Sequence, residues 1–166
     1  VADSISKPMI IYNITATTHM SIPLEVVEKL SRHPNIVALK DSERDLERLD
    51  KSIEMFRDRE DFSHLIGWAA KSCYGLSRGS DGLVPSTGNM TPGMFKMMYD
   101  AAREGNLPLA EKMQSETDLL ASVYQSNKTL GESLAAAKIL MKEFLLCEEY
   151  VLPPLTQLDR KITDEI

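Results

Sequence analysis

The sequence predicts an α/β fold whose core is a parallel β-sheet of four successive strand–helix units, followed by a purely helical tail. Three observations carry this. Short apolar runs alternate with longer stretches of helical period, the order that produces βαβ units. The strand runs are apolar throughout instead of alternating with polar residues, as strands covered on both faces are. The first three strand ends fall at Tyr12, Lys40 and Gly67, spacings of 28 and 27 residues that suit one βα unit. Four units make a small open sheet or half of an eight-stranded barrel, and periodicity alone does not choose between them.

Residues 9–12 (Met-Ile-Ile-Tyr), after Pro8, form the first strand. Residues 23–30 read as a helix, with Ser21 a candidate N-cap and Pro23 in the first turn. The second strand, residues 36–39 (Ile-Val-Ala-Leu), is closed by Lys40. A helix over 45–56 places Leu46, Leu49, Ile53 and Phe56 at spacings of three and four. The charges around its start (Glu43, Arg44, Asp45, Glu47, Arg48, Asp50 and Lys51) read as a solvated outer face. Residues 62–66 make the third strand, ending at Gly67, with a helix over 69–76. The fourth strand, 82–84, leads into Pro85-Ser86-Thr87-Gly88-Asn89. Helices near 92–104, 107–125 and 132–146 then follow without strands between them. In the first, Met94, Phe95, Met97, Met98 and Tyr99 read as helix–helix core.

Composition narrows the class. A chain of 166 residues that is 43% hydrophobic and 27% charged buries a core. With 25 acidic against 19 basic side chains it carries a formal charge of −6, and without a Lys/Arg cluster it offers nucleic acid no face. No apolar run approaches the roughly 20 residues of a bilayer span, and the first residues hold no signal-peptide core. Cys73 and Cys147 stand far apart in apolar contexts that read as helical, so a reducing cytoplasm is expected rather than a disulfide framework. His19, His33 and His64 lack metal-ligand spacing, and no Gly-Xaa-Gly-Xaa-Xaa-Gly follows a strand, so neither a metal nor a nucleotide cofactor is expected. Gly79-Ser80-Asp81-Gly82 precedes a strand rather than a helix, which makes it a poor phosphate loop.

In parallel α/β folds functional groups gather at the carboxyl ends of strands. Those ends are Tyr12-Asn13, Lys40-Asp41-Ser42, Gly67-Trp68 and Val84-Pro85-Ser86. Lys40 closes an apolar strand. Enclosure of its stem would disfavour the ammonium and free the amine as a nucleophile toward a carbonyl; the same position also suits a lysine snorkelling to solvent or pairing with a carboxylate. Tyr12 ends the neighbouring strand at the matching place, where its hydroxyl can relay protons or simply meet water.

These segments carry a resemblance. Ile11-Tyr12-Asn13-Ile14 with residues 15–18, then residues 36–42 (Ile-Val-Ala-Leu-Lys-Asp-Ser), then residues 79–86 (Gly-Ser-Asp-Gly-Leu-Val-Pro-Ser), are similar to the dihydrodipicolinate synthase / N-acetylneuraminate lyase family over essentially the whole chain, including the terminal helices and residues 152–156. The resemblance implies a (β/α)₈ barrel with a three-helix extension, of which residues 1–91 match the C-terminal half-barrel and residues 92–166 the extension. It implies that Lys40 is the lysine that condenses with pyruvate or a 2-keto acid, and that Tyr12 moves protons to and from the imine and carbinolamine. Gly67, Val84 and Ser86 match pocket-lining positions, Val84 through its main-chain carbonyl. Ser42 and Thr17 are the remaining substrate-side candidates. The covalent imine is the electron sink, with no metal and no nucleotide.

Two departures bear on the substrate. Synthases proper carry an arginine where this chain has Thr17, and a threonine cannot replace a bidentate carboxylate clamp. Sialic acid lyases carry an acidic pair where this chain has Ala69 and Ala70. An aldolase or dehydratase for another 2-keto acid is therefore expected, with synthase activity proper or a self-associating, non-catalytic half-barrel as alternatives. By the same resemblance the chain starts at the family's fifth strand, so the Gly-Thr-Thr-Gly-Glu segment that binds the pyruvate carboxylate lies outside it. Four strands leave two edges unpaired, which points to a second copy or a complementary N-terminal half-barrel as partner.

Overall fold

The computed structural model describes residues 1–159. Four parallel strands form one sheet in the order β1-β2-β3-β4: β1 Met9–Asn13, β2 Ile36–Asp41, β3 Ser63–Ile66 and β4 Gly82–Leu83. Register places Tyr12 beside Lys40, Lys40 beside Leu65, and Leu65 beside Gly82. A bulge between Met9 and Ile10 brings β1 into that register.

The helices are α1 Thr15–Thr18, α2 Leu24–Leu30, α3 Leu46–Phe56, α4 Ser72–Ser77, α5 Pro92–Arg103, α6 Leu107–Gln125 and α7 Leu130–Glu143. Short 3₁₀ turns sit at Ala2–Ser4, Ala69–Lys71 and Ser86–Asn89. Asp45 is the N-cap of α3 rather than its first residue, its carboxylate accepting from Arg48 N at 2.9 Å. Thr129 and Glu132 form a capping box that starts α7 two residues earlier than its apolar pattern indicates. Ser21 does not cap α2: the helix starts at Leu24, so Pro23 holds the cap position without a side-chain bond, and Ser21 Oγ donates to Glu43 instead. Since α7 ends at Glu143, Cys147 lies in an irregular turn rather than in a helix. Both cysteines are free.

Successive side chains of a strand point to opposite faces. On the outer face Met9, Ile11 and Leu39 pack with Val27, Phe56 and Phe62, the last two rings 4.6 Å apart. Leu49, Ile53 and Ile66 continue this layer under α3. A further cluster joins Cys73 and Leu76 of α4 to Phe95 and Met98 of α5 and to Met113 of α6, so apolar packing crosses the expected division at residue 91. Met97 faces away, half exposed, unlike its neighbours Phe95 and Met98. The last seven residues of the expected extension lie outside the described residues. No helix among the described residues is long and apolar enough to cross a membrane.

Candidate functional site

The site forms where β1 and β2 end. Tyr12 and Lys40 are register partners on the inner face, and Lys40 Nζ lies 4.0 Å from the centroid of the Tyr12 ring. This is cation–π contact distance, at which the ammonium is attracted to the ring face. The Tyr12 hydroxyl accepts from Ser42 Oγ at 3.5 Å. Gly67 closes the same corner. A Cβ added there would stand 1.9 Å from Ser42 Oγ and 2.9 Å from the Asp41 carbonyl, so a side chain and Ser42 cannot both occupy the space. Gly67 N donates to that carbonyl at 2.6 Å, tying β3 to β2 at this height.

The residues after Tyr12 and Lys40 point the other way and build the support. Asn13 and Asp41 are buried, and Asn13 Nδ2 donates to Asp41 Oδ1 at 2.8 Å and to Glu43 Oε2 at 2.9 Å. Asn13 Oδ1 accepts from Ile22 N at 3.1 Å, anchoring the end of the β1–α2 loop. Arg48 Nε donates to Asp41 Oδ2 at 2.8 Å, with Glu43 at 3.4 Å; the Arg48 side chain is 11% exposed and that of Asp41 5%. Ser21 completes the cluster, donating to Glu43 at 2.6 Å and accepting from Arg48 at 3.2 Å. Glu43 and Arg48 therefore do not belong to a solvated face. A buried carboxylate needs a cation or several donors, and Arg48 is the cation that α3 presents to the end of β2.

Not every expected residue joins the pair. Thr17 lies on the exposed turn α1 and its hydroxyl donates to Ile14 O at 3.3 Å, inside its own turn. Val84 follows β4, half exposed, with its N–H on the Ile66 carbonyl. Ser86 opens the 3₁₀ turn beyond it, and its hydroxyl meets Tyr124 of α6 at 2.8 Å. Ala69 and Ala70 occupy the turn after β3; the Ala69 carbonyl accepts from Ser72 Oγ and Gln114 Nε2. Tyr124 left no mark in the sequence beyond an aromatic at helix-core spacing.

Behind β3, His64 is fully buried between Ser52 Oγ at 3.0 Å and Ser80 Oγ at 2.9 Å. Burial pushes its pKa down to about 4, against the opposing pull of Asp41 and Asp81. His64 N donates to the Asp81 carboxylate at 2.8 Å, so residues 79–82 serve the fold's own hydrogen bonds.

Comparison with known proteins gives the arrangement its kin. The model of the dihydrodipicolinate synthetase family matches residues 1–166. A 4-hydroxy-tetrahydrodipicolinate synthase of Methanoculleus marisnigri is 34% identical over 109 residues, 66% of this chain and 37% of the relative. The dihydrodipicolinate synthase structure from Bacteroides thetaiotaomicron superposes with a TM-score of 0.83 at 20% identity, over 95% of this chain and 53% of that one. A prophage protein of the same family from E. coli K12, solved in complex with pyruvate, gives 0.83 at 23% identity, over 99% of this chain and 55% of that one. The chain thus spans about half the length of these structures, and less of the curated relative. Its fold is a partial (β/α)₈ barrel with a helical extension.

Proposed function

The chain belongs to the dihydrodipicolinate synthetase family, and on that premise we propose that it is the lysine-bearing half of a Schiff-base lyase, an aldolase or dehydratase acting on pyruvate or another 2-keto acid. The observation that carries this reading is the Tyr12–Lys40 pair, 4.0 Å apart on the inner face, with the Tyr12 hydroxyl held by Ser42. Lys40 as free amine attacks the C2 carbonyl carbon, and the carbonyl oxygen takes a proton to give a carbinolamine. Tyr12, beside the amine, relays to that oxygen the proton the attacking nitrogen releases; one further proton, drawn from solvent and passed on by Tyr12, lets the hydroxyl depart as water and leaves a protonated imine. The imine draws electrons from the adjacent carbon, which then loses a proton, breaks or forms a C–C bond, or expels hydroxide from its neighbour. The reading calls on no metal or nucleotide.

Synthase activity proper is the second reading. It is favoured by the name of the Methanoculleus relative and opposed by Thr17, which bonds within its own turn where a carboxylate clamp is needed. In either case we place the activity in an assembly: the chain with a complementary N-terminal half-barrel, or with a second copy, so that eight strands close. Two unpaired cysteines support a reducing, cytoplasmic setting.

Borohydride trapping with pyruvate, read by intact mass and peptide mapping, tests this. We expect an adduct on Lys40 and none in Lys40→Arg, with turnover only in an assembled form, paired with a second copy or with a complementary half-barrel. Turnover by the monomeric chain would overturn the assembly claim. Absence of any adduct in the assembled form would overturn the lyase reading.

A further inference from the structure

Tyr12 and Lys40 are held by little on their own face. Tyr12 is half-exposed, its hydroxyl meets only Ser42 among the described residues, and neither side chain joins an apolar cluster there. The β1–β2 pairing ends one residue later, at Asn13 and Asp41, with Ser42 N donating to Asn13 O at 2.9 Å. Strand ends of this kind open easily. What fixes the pair is on the other side of the strands. There Asn13, 1% exposed, uses both ends of its amide. Nδ2 donates across the strand pair to Asp41 Oδ1 and onward to Glu43 Oε2, while Oδ1 accepts from Ile22 N. Besides Asn13, the buried Asp41 carboxylate accepts from Glu43 N at 3.0 Å and from Arg48 Nε at 2.8 Å. The amide fits one way round. Turned over, it sets its carbonyl against two carboxylates and its NH₂ against the Ile22 N–H. A carboxylate in its place brings no donor and adds a third negative charge beside one arginine. A side chain without an amide leaves the buried groups around it short of partners.

We propose that Asn13 is a positioning residue for the reaction: by clamping the ends of β1 and β2 from behind, it sets the distance between Tyr12 and Lys40 in front; that this pair does chemistry rests on the lyase reading above. Successive residues of a strand point to opposite faces. A bond between the register partners Asn13 and Asp41 therefore fixes the spacing of the two strands at the height of the partners Tyr12 and Lys40. Proton relay requires the phenol within hydrogen-bond reach of the reacting atoms, and a displacement of about 1 Å costs up to about a hundredfold in rate. Asn13 faces away from the inner side, where the keto acid binds. It acts on the rate of imine formation and leaves saturation by the keto acid as it was.

The test compares the wild-type chain with Asn13→Asp, with the exchange variant Asn13→Asp/Asp41→Asn, and with Met113→Ala, which opens the core between α4, α5 and α6 away from both strand ends. The first readout is the NMR proton shift of the Lys40 ε-methylene, which the ring current of Tyr12 displaces upfield; Tyr12→Leu gives the undisplaced value. Asn13→Asp is expected to lose most of that displacement and Met113→Ala to keep it. The exchange variant is expected to regain part, since donor and acceptor have only changed strands. The second readout is borohydride trapping across a range of pyruvate concentrations. Asn13→Asp is expected to slow trapping at saturation roughly ten- to hundredfold, while the half-saturating concentration changes less than about twofold. An undisturbed Lys40 shift in Asn13→Asp, an equal loss in Met113→Ala, or weaker saturation at an unchanged rate would overturn the proposal. If Asn13→Asp does not fold, the uncharged Asn13→Ser takes its place in both measurements with the same outcomes. If the wild type traps no pyruvate, alone or assembled, the lyase reading falls, and the Lys40 shift still decides whether Asn13 sets the pair.

Discussion

On the outer face of the sheet Leu39, Ile66, Phe56 and Phe62 are 1% exposed or less, while on the inner face Ile10 stands 52% and Tyr12 45% exposed. Leu39, Ile66, Ile10 and Tyr12 all come from the strands, with Phe56 of α3 and Phe62 beside them on the outer side. The outer face is covered by helices that the chain supplies through its own βα connections. The inner one faces the barrel axis, and in a closed barrel it is filled by strands from across the circle. The Tyr12–Lys40 pair lies on the uncovered face and the ionic cluster of Asp41, Glu43 and Arg48 lies behind it. Helical cover and the lysine–tyrosine pair are thus divided between the two sides of the same two strands.

A matched pair of truncations sets the covered face against the open one. Phe56→Ala empties a filled outer core and is expected to cost about 3–5 kcal/mol, whereas Ile10→Ala in the isolated chain costs less than about 0.5 kcal/mol. Urea denaturation measures both, and equal losses would mean that the inner face is already covered in solution. Supplying a complementary half-barrel should raise the Ile10→Ala cost toward the outer-face value.

Arg48→Met strips the cation from Asp41 and Glu43 behind the pair. The expected loss is about 3 kcal/mol, with Arg48→Lys recovering part of it because an ammonium lacks the planar fork. A loss below about 1 kcal/mol would show the cluster to be solvated after all.

His64 tests the outer face by pH. Its folded pKa, about 4, lies below the ordinary 6.5 because burial penalises the imidazolium. As pH falls below about 6.5 the unfolded chain takes up a proton that the folded chain refuses, so stability is complete above that pH. It is lost on the way down to about 4, at up to ~1.4 kcal/mol per pH unit. The stability–pH curve of His64→Gln, subtracted from that of the wild type, should isolate this slope; parallel curves would contradict it. Gly67→Ala is expected to cost about 1–2 kcal/mol by displacing Ser42. Ser42→Gly in the same chain should restore part of it, the contact with the Asp41 carbonyl remaining.

The strand–helix order, the positions of Tyr12 and Lys40 at neighbouring strand ends, and the family resemblance were all legible in the sequence. Each depends on residues close together in the chain or on a simple period. The ionic cluster was not. Glu43 and Arg48 sit in a run of alternating charge, and only their contacts with Asp41, Asn13 and Ser21 in the folded chain withdraw these two from solvent and leave Arg44 and Glu47 outside. Tyr124 and Ser86 are 38 residues apart, and their contact exists because α6 packs back against the end of the sheet. Thr17 shows the converse: aligned with a ligand-binding position, it turns its hydroxyl to its own backbone.

By itself the sequence determined the secondary-structure order, the apolar faces and the pairing of a lysine with a tyrosine one βα unit apart, because periodicity and strand register are local properties. Only the tertiary structure decided which charges are withdrawn from solvent, that Tyr124 of α6 meets Ser86 after β4, and that the inner face of the sheet is uncovered among the described residues. Those outcomes depend on where distant segments meet, and four strands reach too few neighbours to close the circle.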